Sequence, residues 1–163
     1  MSELPNFWRT EIWHPLAVHL PLVLLIFSTL FSLLGLIIKS NMWSTVGRVF
    51  LFIGTAGAWV SIYTGKLADA IVVRGLCDPT VLEAHEHAAY WVGWLFTGAS
   101  LLALLGLNGK LLKIRTVLSV VMIICMLIGS AVLVRTGHLG AQLVYQQAAG
   151  VYTPSADCNE FSE

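Results

Sequence analysis

Charge is scarce in this chain. Of its 163 residues only 11% are Asp, Glu, Lys or Arg, nine acidic and nine basic, so the formal net charge is zero. Water-soluble globular domains carry about 25% charged residues, and a chain this apolar could not cover its own surface in water. The balance of signs leaves no basic field for a nucleic acid partner. Local patterns of familiar catalysts are missing as well. There is no phosphate-cradling glycine loop, no G-x-S-x-G and no H-E-x-x-H, since His85-Glu86-His87-Ala88-Ala89 lacks the second spaced histidine. What is present is apolar material, 57% of the chain, which also excludes a disordered protein.

That material is gathered into runs. A helix rising about 1.5 Å per residue needs roughly 20 apolar residues to cross a hydrocarbon layer of about 30 Å. Four segments reach that length, at about 15–38, 46–70, 86–107 and 111–136. They are unbroken rather than alternating, which excludes a transmembrane β-barrel. The expected fold is all-α: a polytopic membrane protein, a four-transmembrane-helix bundle of two hairpins within residues 1–145, followed by a polar periplasmic tail at 146–163. Pro15 suits a first helical position. The opening segment is too long, and its flanks too acidic, for a cleaved signal peptide. Gly75-Leu76-Cys77-Asp78-Pro79 marks the turn of a longer link from about Gly65 to Glu86. No internal repeat stands out.

Orientation follows from the cations. Lys39, Arg48, Lys110, Lys113 and Arg115 crowd the two tight turns with no acid among them. Arg9, Lys66, Arg74, Arg135 and all nine acids fall on the other side. The positive-inside tendency then puts both termini in the periplasm of a bacterial inner membrane. Trp8, Trp13, Tyr90, Trp91 and Trp94 would form the outer aromatic belt. Cys77 and Cys158 share that face, where they either pair or remain free thiols. Cys125 lies mid-span as a small packing residue.

All five histidines fall on the outward side. His19 sits one helical turn past Pro15 and needs a partner in the bundle, or else the carbonyl freed by Pro21. His85 and His87 are about 200° apart on a helix, so one of them faces inward. His138 follows Thr136-Gly137 near a helix end whose dipole favours it. His14, preceding a proline, is expected in extended backbone nearest the water.

Converging imidazoles suit two kinds of prosthetic group. Zinc or copper accepts imidazole within a cage of three or four ligands. A haem asks for one or two axial imidazoles, a slot lined by small and apolar residues, and partners for its propionates. Gly57, Ser61 and Gly65 form a small-residue stripe on the second span, which admits either a flat ring or a neighbouring helix. Arg9, Lys66, Arg74 and Arg135 either reach propionates or snorkel to the interface.

These residues also carry a likeness. His14-Pro15-Leu16-Ala17-Val18-His19-Leu20-Pro21 resembles the H-P-x-x-V-H-F-P opening of a family of small bacterial four-helix membrane proteins, catalogued as a domain of unknown function. His85-Glu86 is similar to the H-E pair opening the family's third span. The stretch from Gly137 to Tyr145 is similar to its G-H-x-G-G…L-V-Y end. The likeness covers about Trp13 to Tyr145. Leu20 stands where the family has Phe, Ala141 where it has a second Gly, and His87 lies outside the pattern. The resemblance, which extends to small b-type membrane cytochromes, implies a haem- or metal-dependent role with His14, His19, His85 and His138 as a set.

The function expected is that of a b-type haem electron-transfer subunit at the periplasmic face, holding one or two haem b groups and no independent catalytic site. His19 and His85 form the first axial pair, with His87 the alternative on the third span. His14 and His138 hold a second haem or help anchor the first. Partners would be the lipid bilayer, other subunits of a redox complex, a periplasmic cytochrome or quinol. The alternatives are a copper- or zinc-binding membrane protein and a cofactor-free anchor for a soluble partner. Secondary transport fits poorly, for want of broken spans and inverted repeats.

Overall fold

In a layer without water every backbone N–H and C=O must be satisfied within the chain, and helices do this segment by segment. The protein, seen in a computed structural model that describes residues 9–108 and 113–151, is built that way. Four helices form: α1 (Thr10–Ile37), α2 (Asn41–Val72), α3 (Thr80–Gly106) and α4 (Arg115–Gln147), with a 3-10 turn at Val73–Gly75. Each is long and apolar enough to cross a membrane, and no strand occurs among the described residues. The chain is an all-α, polytopic protein of four membrane-spanning helices. Trp8, Lys110 and Cys158 lie outside the described residues.

The helices overrun the hydropathy-based spans at the histidine end. α1 starts at Thr10, with Pro15 and Pro21 inside it rather than at its start. α2 continues to Val72 and α3 starts at Thr80, so the link shrinks to Val73–Pro79. α4 has 33 residues, about 50 Å of helix, and carries polar residues well past the hydrocarbon. Apolarity marks where a helix crosses lipid, not where its hydrogen bonding stops. Between α1 and α2 the chain reverses in three residues. Lys39 adopts left-handed φ of 52° and Ser40 N–H donates back to Gly35 O at 3.0 Å, closing the helix end.

Small residues set the spacing within each hairpin. Gly35 packs on Ser44 and Gly47 on Ser32, while a Cβ on Gly57 would meet the Pro21 ring at 3.1 Å. The Gly57, Ser61, Gly65 stripe is therefore filled by α1. Leu25, Leu51, Phe96 and Met126 are fully buried between the helices, with half-buried Cys125 packed beside them. Large side chains such as Leu20, Phe27, Val60, Leu101 and Ile128 point outward as the lipid-facing surface. Trp13, Trp91 and Trp94 are exposed at the histidine end, where interfacial aromatics belong.

The two hairpins repeat one another, which corrects the expectation that no repeat exists. One constant shift along the chain carries His14, Leu25, Thr29 and Gly35 of α1 onto His85, Phe96, Ser100 and Gly106 of α3. A second carries Gly54, Thr55, Ser61 and Gly65 of α2 onto Gly129, Ser130, Thr136 and Gly140 of α4. The contacts follow suit. Leu25 lies over Gly54 as Phe96 lies over Gly129. The Thr29–Ser130 hydroxyl pair at 3.0 Å matches the Ser100–Thr55 pair at 3.1 Å. α1 and α3 run in the same sense, so the repeat is parallel, about an axis along the bundle.

Candidate functional site: a paired-imidazole centre

At one end of the bundle two imidazoles meet across that axis. His14 lies in the second turn of α1, in helical backbone despite the proline that follows. Pro15 deprives one carbonyl of its donor close to the helix start, where few bonds depend on it. The His14 ring turns toward α2, and its Nδ1–H donates to Ser61 O at 2.9 Å. One turn further on, Gly65 leaves room for the ring; a Cβ there would stand 3.1 Å from Nδ1 and 3.2 Å from Cε1. The other hairpin repeats the arrangement. His85 Nδ1–H donates to Thr136 O at 3.0 Å, and a Cβ on Gly140 would meet its Cε1 at 3.3 Å.

The ring centres lie 6.1 Å apart with their planes at 86°. A carbonyl oxygen only accepts, so the proton of each neutral ring is assigned to Nδ1 and a lone pair to Nε2. Carbonyl bonds of this kind fix the tautomer and orientation of metal-binding imidazoles. Neither Nε2 has a hydrogen-bond partner within the described residues. Both rings are half-buried. Ser61 adds a wholly buried hydroxyl that also lacks a partner among the described residues, and its carbonyl accepts a second bond, from Thr64 Oγ1 at 3.0 Å.

The other residues singled out by the sequence are placed elsewhere. His19 is exposed on the outer face of α1, because five residues turn a helix by about 140° relative to His14. The pair is thus His14 with His85, in place of the expected His19 with His85, and His14 is helical rather than extended. His87 is 75% exposed, 3.9 Å from Glu83 on its own helix. His138 is exposed, its Nε2 3.3 Å from Gln142 Nε2. Arg9 pairs with Glu11 at 3.3 Å and donates to Gly150 O at 3.3 Å. Arg74 and Arg135 are exposed. Beside the pair, Lys66 and Glu86 sit 3.8 Å apart, with Lys66 over the Tyr90 ring. Cys77 is an exposed free thiol, and its proposed partner Cys158 lies outside the described residues.

Thr136 and Gly140 are the part of the centre that sequence reading missed. Their signal was the spacing they share with Ser61 and Gly65, a hydroxyl residue four before a glycine at the histidine end of each second helix. Among the described residues no group of three His, Cys, Asp or Glu side chains is gathered. The centre is a two-donor site.

No curated protein and no solved structure matches the chain. Residues 12–153 match the family described as Predicted membrane protein (DUF2231), whose function is unknown. That span takes in His14, His85 and both orienting carbonyls. The chain belongs to this family of membrane proteins, DUF2231.

Proposed function

We propose that the protein is a membrane-embedded electron-transfer subunit in which His14 and His85 would hold one b-type haem. The observation that carries this reading is the imidazole pair itself, with both Nδ1 atoms tied to helix carbonyls and neither Nε2 partnered among the described residues. A metal ion that took one nitrogen from each ring, at bonds of about 2 Å, would need the ring centres no more than roughly 6 Å apart. The pair has 6.1 Å. A zinc or copper cage would need one or two further donors, whereas a haem would need these two imidazoles alone.

The group would supply one-electron chemistry with no bond made to a substrate. The chain's own residues would hold and tune it. Ser61 and Thr136 carbonyls accept the Nδ1 protons, which keeps each ring oriented and makes its Nε2 more basic. Gly65 and Gly140 let the rings lie close to α2 and α4. An electron-rich ligand pair favours the oxidised iron, so the reading implies a low rather than a high potential. On the orientation argued from the cations, the centre lies near the periplasmic surface. A periplasmic cytochrome, another redox subunit or quinol would then be the exchange partner.

A reduced-minus-oxidised spectrum of the purified protein, with haem quantified per chain, tests the reading. One haem per chain is expected, lost in His14→Ala and in His85→Ala and kept in His19→Ala. A colourless protein that takes up stoichiometric zinc or copper would replace the haem by an ion. Haem retained in both His14→Ala and His85→Ala would overturn the assignment.

A further inference from the structure

The end of the bundle opposite the histidines holds a cavity of about 390 Å³ walled by all four helices. Ser32, Lys39, Ser44, Arg48, Arg115 and Ser119 are among its lining residues. Among the described residues the cations have no acid to answer them. The described carboxylates, Glu11, Asp69, Asp78, Glu83 and Glu86, all lie at the histidine end. Arg48 and Arg115 are close enough to repel one another, and Arg48 has a hydroxyl, Thr45 Oγ1 at 3.0 Å, as its hydrogen-bond partner. Two guanidiniums facing one partly enclosed space without a carboxylate is an arrangement that an anion stabilises.

Two further features point the same way. α2 and α4 both begin at this end, neither has a side-chain cap, and neither carries an acid in its first turn. Their free N–H groups and positive dipole ends add to the field. Independently, Ser32 is 3% exposed, and its hydroxyl is wholly buried with no partner among the described residues. A buried unpaired hydroxyl costs about 1–3 kcal/mol, so a ligand oxygen there has something to gain. Cations that merely snorkel would turn outward to the interface; Arg48 is half-buried and lines the cavity instead.

We propose that this cavity binds a phosphate-bearing anion, held by Arg48 and Arg115 with Ser32 as a hydroxyl donor. A phospholipid headgroup and free phosphate present the same chemistry, a tetrahedral oxyanion matched to guanidinium forks. A chain embedded in a bilayer meets the first continuously. The site is separate from the imidazole pair and stands whether or not that pair holds haem.

The test uses the full chain in phosphatidylcholine nanodiscs. One arm adds phosphatidylglycerol and reads retained lipid by native mass spectrometry; the other titrates inorganic phosphate against chloride and reads binding calorimetrically. Arg48→Gln/Arg115→Gln should weaken whichever binding is seen by about tenfold or more. Arg115→Gln alone changes an exposed residue and guards against a folding defect in the double variant. Ser32→Ala should weaken binding a few-fold, and Lys113→Gln, an exposed cation outside the cavity lining, should leave it unchanged. Binding in the lipid arm alone names the headgroup, and binding in both names the phosphate. Binding in neither arm, or an equal loss in Lys113→Gln, overturns the proposal.

Discussion

The glycine beds under the two imidazoles give the sharpest handle on the centre. Gly65→Ala places a Cβ 3.1 Å from His14 Nδ1 and 3.2 Å from Cε1, closer than ordinary van der Waals contact. The ring must move, and it is tethered by a 2.9 Å bond to Ser61 O. Overpacking of this kind costs about 1–3 kcal/mol, and a weakened hydrogen bond adds about 0.5–1.5 kcal/mol. Against this, replacing glycine by alanine inside a helix gains about 1 kcal/mol. Gly137→Ala isolates that gain, because nothing lies within 4 Å of a Cβ there. The two variants should therefore differ by about 2 kcal/mol or more. Gly140→Ala falls between them, its Cβ meeting His85 Cε1 at 3.3 Å. Unfolding of the purified protein by SDS in mixed micelles, followed by circular dichroism, reads the order directly. If Gly65→Ala proves as stable as Gly137→Ala, the close bedding of His14 on α2 is refuted. If it is destabilised while bound haem per chain is unchanged, the bed is structural and has no bearing on the ligand.

The repeat makes paired predictions. Gly54→Ala and Gly129→Ala would each bring a Cβ within 2.8 Å of Leu25 and Phe96 respectively; each should cost about 1–3 kcal/mol, and Phe96→Leu should partly rescue Gly129→Ala in the same unfolding assay. Thr29→Val and Thr55→Val each remove one interhelical hydroxyl pair, and each should cost about 0.6 kcal/mol; a clear inequality would mean the two joints are not equivalent. The Asp78 carboxyl accepts from Thr80 Oγ1 at 2.7 Å and from Thr80 N at 3.0 Å, and these bonds, the hydroxyl's first, hold it below the usual carboxylate range. Its folded value being depressed, its contribution is present above the unfolded value and fades as pH falls through the folded one. Amide protection factors at the start of α3, corrected for the intrinsic exchange rate, should fall as pH drops through that acidic range, and Asp78→Asn should abolish that fall.

Four spans are legible in the sequence because a lipid-crossing helix needs a minimum run of apolar residues, and nothing else in a short chain makes such runs. The imidazole pair is less legible, and the reason is one helix boundary. A helix started at Pro15 puts His14 outside it and His19 a turn within; a helix started at Thr10 puts His14 on the face toward α2 and swings His19 to lipid. Proline inside a membrane helix is tolerated because neighbouring groups take up the freed carbonyl, so Pro15 does not mark the start. For His85 and His87 the 200° separation is enough to send one inward and the other outward, and the structure sends His85 inward. The repeat escaped notice for a different reason. Leu25 answers to Phe96 and Thr29 to Ser100, so the equivalence lies in which side chain fills which gap.

Positions on a parallel twofold axis meet their own equivalents, and His14 meets His85. Identical equivalents include apolar positions such as Ala17 with Ala88 and Ile53 with Ile128, and also histidine with histidine, Gly35 with Gly106, Gly54 with Gly129 and Gly65 with Gly140. A Cβ would be crowded on both sides in two of these three glycine pairs, and at Gly35 alone in the third. Sterics cannot account for the histidines, since packing alone would accept many side chains of that size. Hydrogen bonding to the Ser61 and Thr136 carbonyls would be satisfied by a tryptophan or a lysine as well. What imidazole adds is a second nitrogen on the far side of the ring, and the axis brings the two ring centres to 6.1 Å. At the opposite end the repeat persists in Gly35 with Gly106 and Ser44 with Ser119, while the two arginines stand alone, Arg48 answered by Ile123 and Arg115 by Ser40. The haem proposed above, which would take one nitrogen from each half, would give an identical pair on an axis its physical reason.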